Sequence, residues 1–358
     1  MAKKIVFLLH GMGDYSAADW HVPYVDAIRQ AHSLYPLFSD DTLDDRAEFV
    51  AIEYDSIFRD LLDTWASNAA LVKAASLEAG VSLSKLTQWL AGAGELKDNF
   101  AWTHAADVLL YRAFSLVRNR VCVHVARQIT TRLKKAINET GSVQWAGIGH
   151  SLGTAVLHDT LARLWHPDSP IPGAEAFAPQ NVQADLIMMV ANVTRVLEVK
   201  TAAEPYDVFQ TAVAPGFGGQ SQRGCKYYLN ARHRLDPFTV PKMFDPQMWP
   251  DEAALMAQPP RYMNVEVNHL HDRNVHDFGH YLKHPAVHIP MLRALFGFHR
   301  VSADHERDAL LRWRNFGPLE DAAAIKLKTE LESLLPSQAD DWLALGKLKR
   351  SFEKVLKK

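Results

Sequence analysis

The sequence predicts an α/β protein built on a mainly parallel sheet. Short apolar runs, which suit strands buried on both faces of a parallel sheet, alternate along the chain with segments of helical periodicity. Two of these runs end in glycine-rich turns: residues 5–9 lead into His-Gly-Met-Gly, and residues 143–148 lead into Gly-His-Ser-Leu-Gly. We therefore expect one central sheet flanked by helices.

The first 55 residues predict two strands and one helix. The run at 5–9 is apolar at every position, which is typical of a buried parallel strand. A helix is expected at 23–33. Residues 48–54 are predicted to form the second strand, because the phenylalanine, valine and isoleucine in this segment favour extended backbone.

Residues 56–140 contain no strand pattern, and their apolar residues recur at roughly helical spacing. The segment 107–137 is a long helical pattern whose basic end suits a helix C-terminus. A crossover between parallel strands needs only about a dozen residues, so roughly 50 residues are surplus here. We predict that residues 56–104 form an inserted helical cap.

The second half of the chain continues the alternation of strands and helices. After the strand at 143–148, leucines at i, i+4 and i+7 indicate a helix. From residue 301 to residue 358 the pattern changes to amphipathic helices with a lysine-rich end. We expect these helices to pack on the core or on a partner, so that a homo-oligomer can form through them. The remaining strands are predicted at 186–193, 225–231 and 262–268, and the last scaffold helix at 290–296.

The composition argues against several classes of protein. Lysine and arginine number 39 against 41 acidic residues, so neither nucleic-acid binding nor attraction to anionic membranes is expected. Cys122 and Cys225 are too few for a disulfide framework and match no zinc spacing, which favours a reducing compartment. The run at 5–9 is too short for a signal peptide, and no stretch reaches the ~18 apolar residues of a membrane span. We expect a soluble, cytoplasmic protein.

The pentapeptide Gly149-His150-Ser151-Leu152-Gly153 predicts a nucleophilic serine. It lies between a predicted strand and a predicted helix, where a tight turn requires small residues on both sides of the serine. Such a turn lifts the hydroxyl clear of the sheet, at the N-terminus of the next helix. That helix end favours developing negative charge. The alternative is a purely structural glycine turn.

The His10-Gly11-Met12-Gly13 segment follows the first buried strand and predicts part of an oxyanion hole. Acyl transfer needs two N–H donors aimed at the tetrahedral oxyanion. One donor is expected from Leu152, directly after the serine, and the other from Met12. Taken alone, this segment would be an ordinary glycine-rich turn, and the paired serine motif is what favours the functional interpretation.

Together these segments resemble the lipase and esterase branch of the α/β-hydrolase superfamily. The resemblance is particularly to bacterial hydrolases that share Leu-Leu-His-Gly-Met-Gly near the N-terminus and Gly-His-Ser-Leu-Gly-Thr later. It covers roughly residues 3–55 and 105–300. It implies that residues 1–300 are an α/β-hydrolase catalytic domain carrying the cap, with the 301–358 extension outside any recognised motif. It also implies that an acid and then a histidine follow the serine along the chain.

That order selects the other two members of a catalytic triad. Asp236, in an Asp-Pro segment after the predicted strand at 225–231, is the acid that would orient the histidine, and Asp207 is the fallback. The histidine should follow the last strand. His276 would lie just before a helix capped by Asp277. The resemblance favours His276, because members of the family often have a histidine shortly before an aromatic-rich helix start, and His280 is the alternative.

The implied function is hydrolysis of carboxylic esters, of small-molecule or lipid-like type, through an acyl-enzyme and without a metal or organic cofactor. The ester is favoured because Trp65, Trp89 and Trp102 of the predicted cap would suit an apolar acyl pocket, although they would equally suit the core of the cap. A thioesterase or peptidase using the same triad remains an alternative. So does a hydrolase scaffold used only for binding.

Overall fold

The computed structural model describes residues 3–11, 15, 17–36, 42–60, 111, 115–166, 171–179, 181–194, 213–216, 223–234, 236, 239, 244, 260–269 and 275–314. The predicted cap beyond residue 60, including its three tryptophans, lies outside the described residues. So do Met12, Asp207 and the part of the C-terminal extension that follows residue 314.

Six strands form one sheet in which every neighbouring pair is parallel. The predicted α/β class with a parallel central sheet is therefore confirmed for the described part of the chain. In chain order the strands are β1 (Lys4–Leu9), β2 (Ala47–Ile52), β3 (Trp145–His150), β4 (Ala184–Val190), β5 (Cys225–His233) and β6 (Tyr262–Val267). Their spatial order is β2-β1-β3-β4-β5-β6.

Helices cover both faces of the sheet, which explains why β1, β3 and β4 are buried at every position. One face packs against the third and fourth helices, and the other packs against the first, fifth and sixth. The helices are α1 (Val22–Ser33), α2 (Leu43–Arg46), α3 (Ser115–Thr140), α4 (Leu152–Leu164), α5 (Phe278–Leu282), α6 (Pro285–Phe296) and α7 (Ala303–Arg314).

Several element bounds differ from the predicted ones by a few residues, and two of these differences have identifiable reasons. The fourth strand was predicted to run to residue 193 but ends at Val190, because Ala191 has a φ of 52° and leaves the extended conformation. The last scaffold helix was predicted to begin at Pro290. It begins instead at Pro285, where the His284 side chain caps the Ala286 N–H, and Pro290 lies inside the helix.

The strand order reverses beside β1, and this reversal positions the candidate site. The chain passes from β1 to β2 on one side and then crosses to β3 on the other. The loops leaving β1 and β3 therefore diverge at the carboxyl end of the sheet, where open α/β sheets form their ligand crevice. Both glycine-rich motifs lie at this edge.

The beginning of the C-terminal extension packs on the sheet domain. Arg293 of α6 and Glu306 of α7 form an ion pair of 2.6 Å between Nη1 and Oε2.

Cys122 and Cys225 are both fully buried. Among the helices that the structure describes, none combines the length and apolar character needed to cross a membrane.

Acid should destabilise the fold, because several histidines are buried in neutral form. Desolvation lowers the pKa of His10, His158 and His288 to about 4 and that of His150 to about 3, from 6.5. Below pH 6.5 the unfolded chain binds these protons and the folded chain does not. Each such histidine then lowers the free energy of unfolding by up to about 1.4 kcal/mol per pH unit. Urea titrations should show a midpoint that falls steeply between pH 6.5 and about 4, and equal midpoints at pH 7 and pH 5 would contradict this account.

Candidate active site

Ser151 lies in a strained turn between β3 and α4. Its φ of 53° and ψ of −122° are rare for a residue with a side chain. The turn is possible because the positions two residues before and two residues after Ser151 lack side chains. A Cβ on Gly149 would lie 2.7 Å from the carbonyl oxygen of Gly153. The small residues predicted around the serine are thus required by backbone contact.

The loop leaving β1 passes directly against this turn. A Cβ on Gly153 would overlap the carbonyl oxygens of Leu9 and His10, and a Cβ on Gly11 would lie 3.0 Å from the Ser151 Cβ. The two glycine motifs, which are about 140 positions apart in sequence, therefore share one site. This close approach explains why both motifs need glycine.

Ser151, His276 and Asp236 are joined by two hydrogen bonds. The Ser151 hydroxyl lies 2.8 Å from His276 Nε2, and His276 Nδ1 lies 2.7 Å from Asp236 Oδ2. Asp236 is fully buried, whereas the His276 side chain is 17% exposed. The carboxylate can only accept, so it holds the Nδ1–H tautomer and leaves the Nε2 lone pair facing the serine.

The helix after His276 begins as predicted. Asp277 is the N-cap of α5, and its side chain accepts a hydrogen bond from the His280 N–H. His280, the alternative candidate, lies within α5, and its ring stacks on His269 at a centroid distance of 4.0 Å. The side chain that contacts Ser151 is that of His276.

Tyr281 supports the buried carboxylate. Its hydroxyl donates to Asp236 Oδ2 at 2.9 Å and accepts from the His233 backbone N–H at 2.9 Å. Burial raises the pKa of Tyr281 well above its usual value, so the hydroxyl stays protonated and serves as a donor. Asp236 Oδ2 therefore accepts two hydrogen bonds, one of which comes from His276.

His150 supports the backbone of His276. Its Nε2 lies 2.7 Å from the His276 carbonyl oxygen, and its Nδ1 lies 2.7 Å from the Tyr24 hydroxyl. Because burial lowers the pKa of His150 to about 3, the ring is neutral and carries one N–H. A carbonyl only accepts, so His150 Nε2–H donates to it and the Tyr24 hydroxyl donates to Nδ1. Sequence analysis missed Tyr24 and Tyr281, and it gave His150 no role.

Of the two residues predicted to donate to the oxyanion, the structure describes only Leu152. Leu152 is the first residue of α4 and is fully buried beside Ser151. N–H groups in the first turn of a helix have no acceptor within that helix and lie at its positive end. Met12 lies outside the described residues. Its neighbour Gly11 is the residue that packs against Ser151.

This arrangement has the parts of an activated nucleophile. A serine hydroxyl that can pass its proton to an imidazole, itself oriented by a carboxylate, is able to attack an electrophilic carbon. No family model matches the chain. No curated protein matches it either. The case for a function therefore rests on the geometry of these side chains.

Proposed function

We propose that the protein is a serine hydrolase of the α/β-hydrolase type that cleaves carboxylic esters. Ser151 is the nucleophile, His276 the general base and acid, and Asp236 the carboxylate that orients the histidine. The observation that carries the proposal is the unbroken hydrogen-bonded path from Asp236 Oδ2 through His276 to Ser151 Oγ, at 2.7 and 2.8 Å. The strained turn at Ser151 and the position at the strand-order reversal support it.

The reaction proceeds in two halves. In the first, Ser151 Oγ attacks the ester carbon while its proton moves to His276 Nε2, and Asp236 stabilises the resulting imidazolium. The N–H groups of Leu152 and Met12 stabilise the oxyanion. His276 then donates its proton to the alkoxy oxygen, the C–O bond breaks, and the alcohol leaves. In the second half, water gives a proton to His276 and attacks the carbonyl carbon of the acyl-enzyme. His276 then donates that proton to Ser151 Oγ as the bond to the acyl group breaks, which releases the acid and restores Ser151.

The choice of an ester comes from the sequence. The predicted cap at 56–104 is rich in tryptophan, which would suit an apolar acyl chain of a small-molecule or lipid-like ester. The triad proposed here carries the hydrolytic chemistry without a metal or organic cofactor. The ratio of activities on short-chain and long-chain esters measures how far the acyl pocket extends.

The proposal is tested by covalent labelling with a fluorophosphonate, which reacts with activated serines. The native protein should gain one label by intact mass, and the Ser151→Ala variant should gain none. The exposed Ser33 serves as a matched control, since Ser33→Ala should label like the native protein. A folded native protein that neither labels nor hydrolyses p-nitrophenyl esters of any chain length would overturn the proposal.

His150 should act as a positioning residue for His276. His150→Ala removes the donor to the His276 carbonyl, and a displacement of about 1 Å at a reacting group can cost about 100-fold in rate. We expect kcat on a p-nitrophenyl ester to fall 10- to 100-fold with KM little changed. His150→Gln keeps a donor and should recover much of that loss. Equal losses in the alanine and glutamine variants, with folding intact, would indicate that the hydrogen bond has no positioning role.

A further inference from the structure

Three buried histidines lie close together near Asp236 of the candidate active site. His233 ends β5, His269 follows β6 by two residues, and His280 lies in α5. Each offers one ring nitrogen, and these nitrogens all lie within 4.8 Å of one another. We propose that His233, His269 and His280 bind a divalent transition metal ion, for which Zn²⁺ is the best fit. This site is distinct from Ser151, His276 and Asp236.

The hydrogen bonds of two of these rings fix their tautomers and so leave Nδ1 as the nitrogen that carries a lone pair. His233 Nε2 lies 2.7 Å from the His269 carbonyl oxygen, and His269 Nε2 lies 2.9 Å from that of His280. A carbonyl only accepts, so both Nε2 atoms carry the hydrogen, and in a neutral ring Nδ1 then holds the lone pair. Metal-binding histidines commonly donate their other N–H to a backbone carbonyl, which sets ring orientation in the same way.

All three rings are withdrawn from solvent. His233 and His280 are each 1% exposed and His269 is 8% exposed. A metal ion binds imidazole in its neutral form.

A three-histidine zinc site requires the ligand nitrogens to move closer together. It also requires the stacked rings of His269 and His280 to turn until their lone pairs point at one ion. Zn²⁺ binds imidazole nitrogen at about 2.0–2.1 Å in tetrahedral geometry, which places ligand nitrogens about 3.3 Å apart. A pair at the 4.8 Å limit would therefore close by about 1.5 Å on binding. Imidazole ligands also suit copper and nickel ions, whereas Mg²⁺ and Ca²⁺ prefer oxygen. A water molecule can take the fourth position.

The metal would act on the segment that carries His276. His280 lies four residues after His276, and Tyr281 next to it bonds both the His233 backbone and Asp236. A metal joining β5, the loop after β6 and α5 would fasten the start of α5 to the sheet. The expected role is structural, so the site does not depend on the proposed ester hydrolysis.

The test uses the full chain with any affinity tag removed. After treatment with a chelator, the protein is titrated with Zn²⁺, and bound metal is measured by elemental analysis after dialysis. We expect one equivalent of Zn²⁺ per chain, an increase in Tm, and X-ray absorption showing imidazole nitrogens at about 2.0–2.1 Å. Native protein that retains less than about a tenth of an equivalent would overturn the proposal.

Substitutions of the proposed ligands test whether these histidines bind the metal ion. His269→Gln and His280→Gln should each weaken Zn²⁺ binding by about 100-fold or more, since even outer-shell changes cost 10- to 100-fold. His288→Gln is the matched control, because His288 is equally buried but bonds Tyr35 and the Leu282 carbonyl instead. If folded variants bind Zn²⁺ like the native protein, the proposal is wrong. Should the variants not fold, imidazole back-scattering in the native protein decides the outcome alone.

Discussion

Replacing Ser151 by alanine is expected to lower kcat for ester hydrolysis by about 10⁶-fold, because the variant has no atom that can form the acyl-enzyme. Folding should be retained. The Ser151 side chain is buried but small, and α4 keeps its backbone bond from the Thr154 N–H to the Ser151 carbonyl. The measurement is kcat on a p-nitrophenyl ester, with circular dichroism to confirm that the variant is folded.

The hydrogen-bonded path from Asp236 through His276 to Ser151 also predicts how the effects of two substitutions combine. Because Ser151 and His276 act as one unit, the double alanine variant should be about as inactive as Ser151→Ala alone. His299→Ala, at an exposed position, is the control for replacing a histidine. Losses that multiplied in the double variant would mean that the two residues act independently, and the 2.8 Å contact would then have no role in activation.

Much of the candidate site follows from local sequence and chain order. The motif around Ser151 depends on residues two positions away on either side, since Gly149 and Gly153 are needed by the turn itself. Asp236 and His276 were chosen by their positions after predicted strands, and the structure brings both to Ser151. The buried strands were recognised for a similar reason, because full burial on both faces requires continuous apolar runs.

The supporting residues could not be found in this way. Tyr24 lies 126 positions from His150, and Tyr281 lies 45 positions from Asp236. Their hydrogen bonds depend on how α1 and α5 pack on the sheet, which no local pattern encodes. The start of α6 was misplaced for a different reason. Pro285 and Pro290 both suit a first helical turn, and only the His284 cap distinguishes them.

Asp236→Asn is expected to lower kcat by at most about 10⁴-fold, which is the loss that accompanies a wrong imidazole tautomer. The amide has nearly the shape of the carboxylate but no charge, so it cannot stabilise the imidazolium that forms when Ser151 attacks. Since His276 and Tyr281 both donate to Oδ2, the carbonyl oxygen of asparagine should occupy that position and accept both bonds. The loss would then report mainly the missing charge rather than a wrong tautomer.

Tyr281→Phe tests the hydrogen bond to Asp236 separately from the negative charge of Asp236. This variant keeps the carboxylate and removes one donor, so we expect roughly a 10-fold loss in kcat, equivalent to one hydrogen bond of about 1.4 kcal/mol. The same esters and the same check of folding apply to both variants. If Asp236→Asn cost no more than Tyr281→Phe, the negative charge of Asp236 would contribute nothing specific, and another group would have to stabilise the protonated His276.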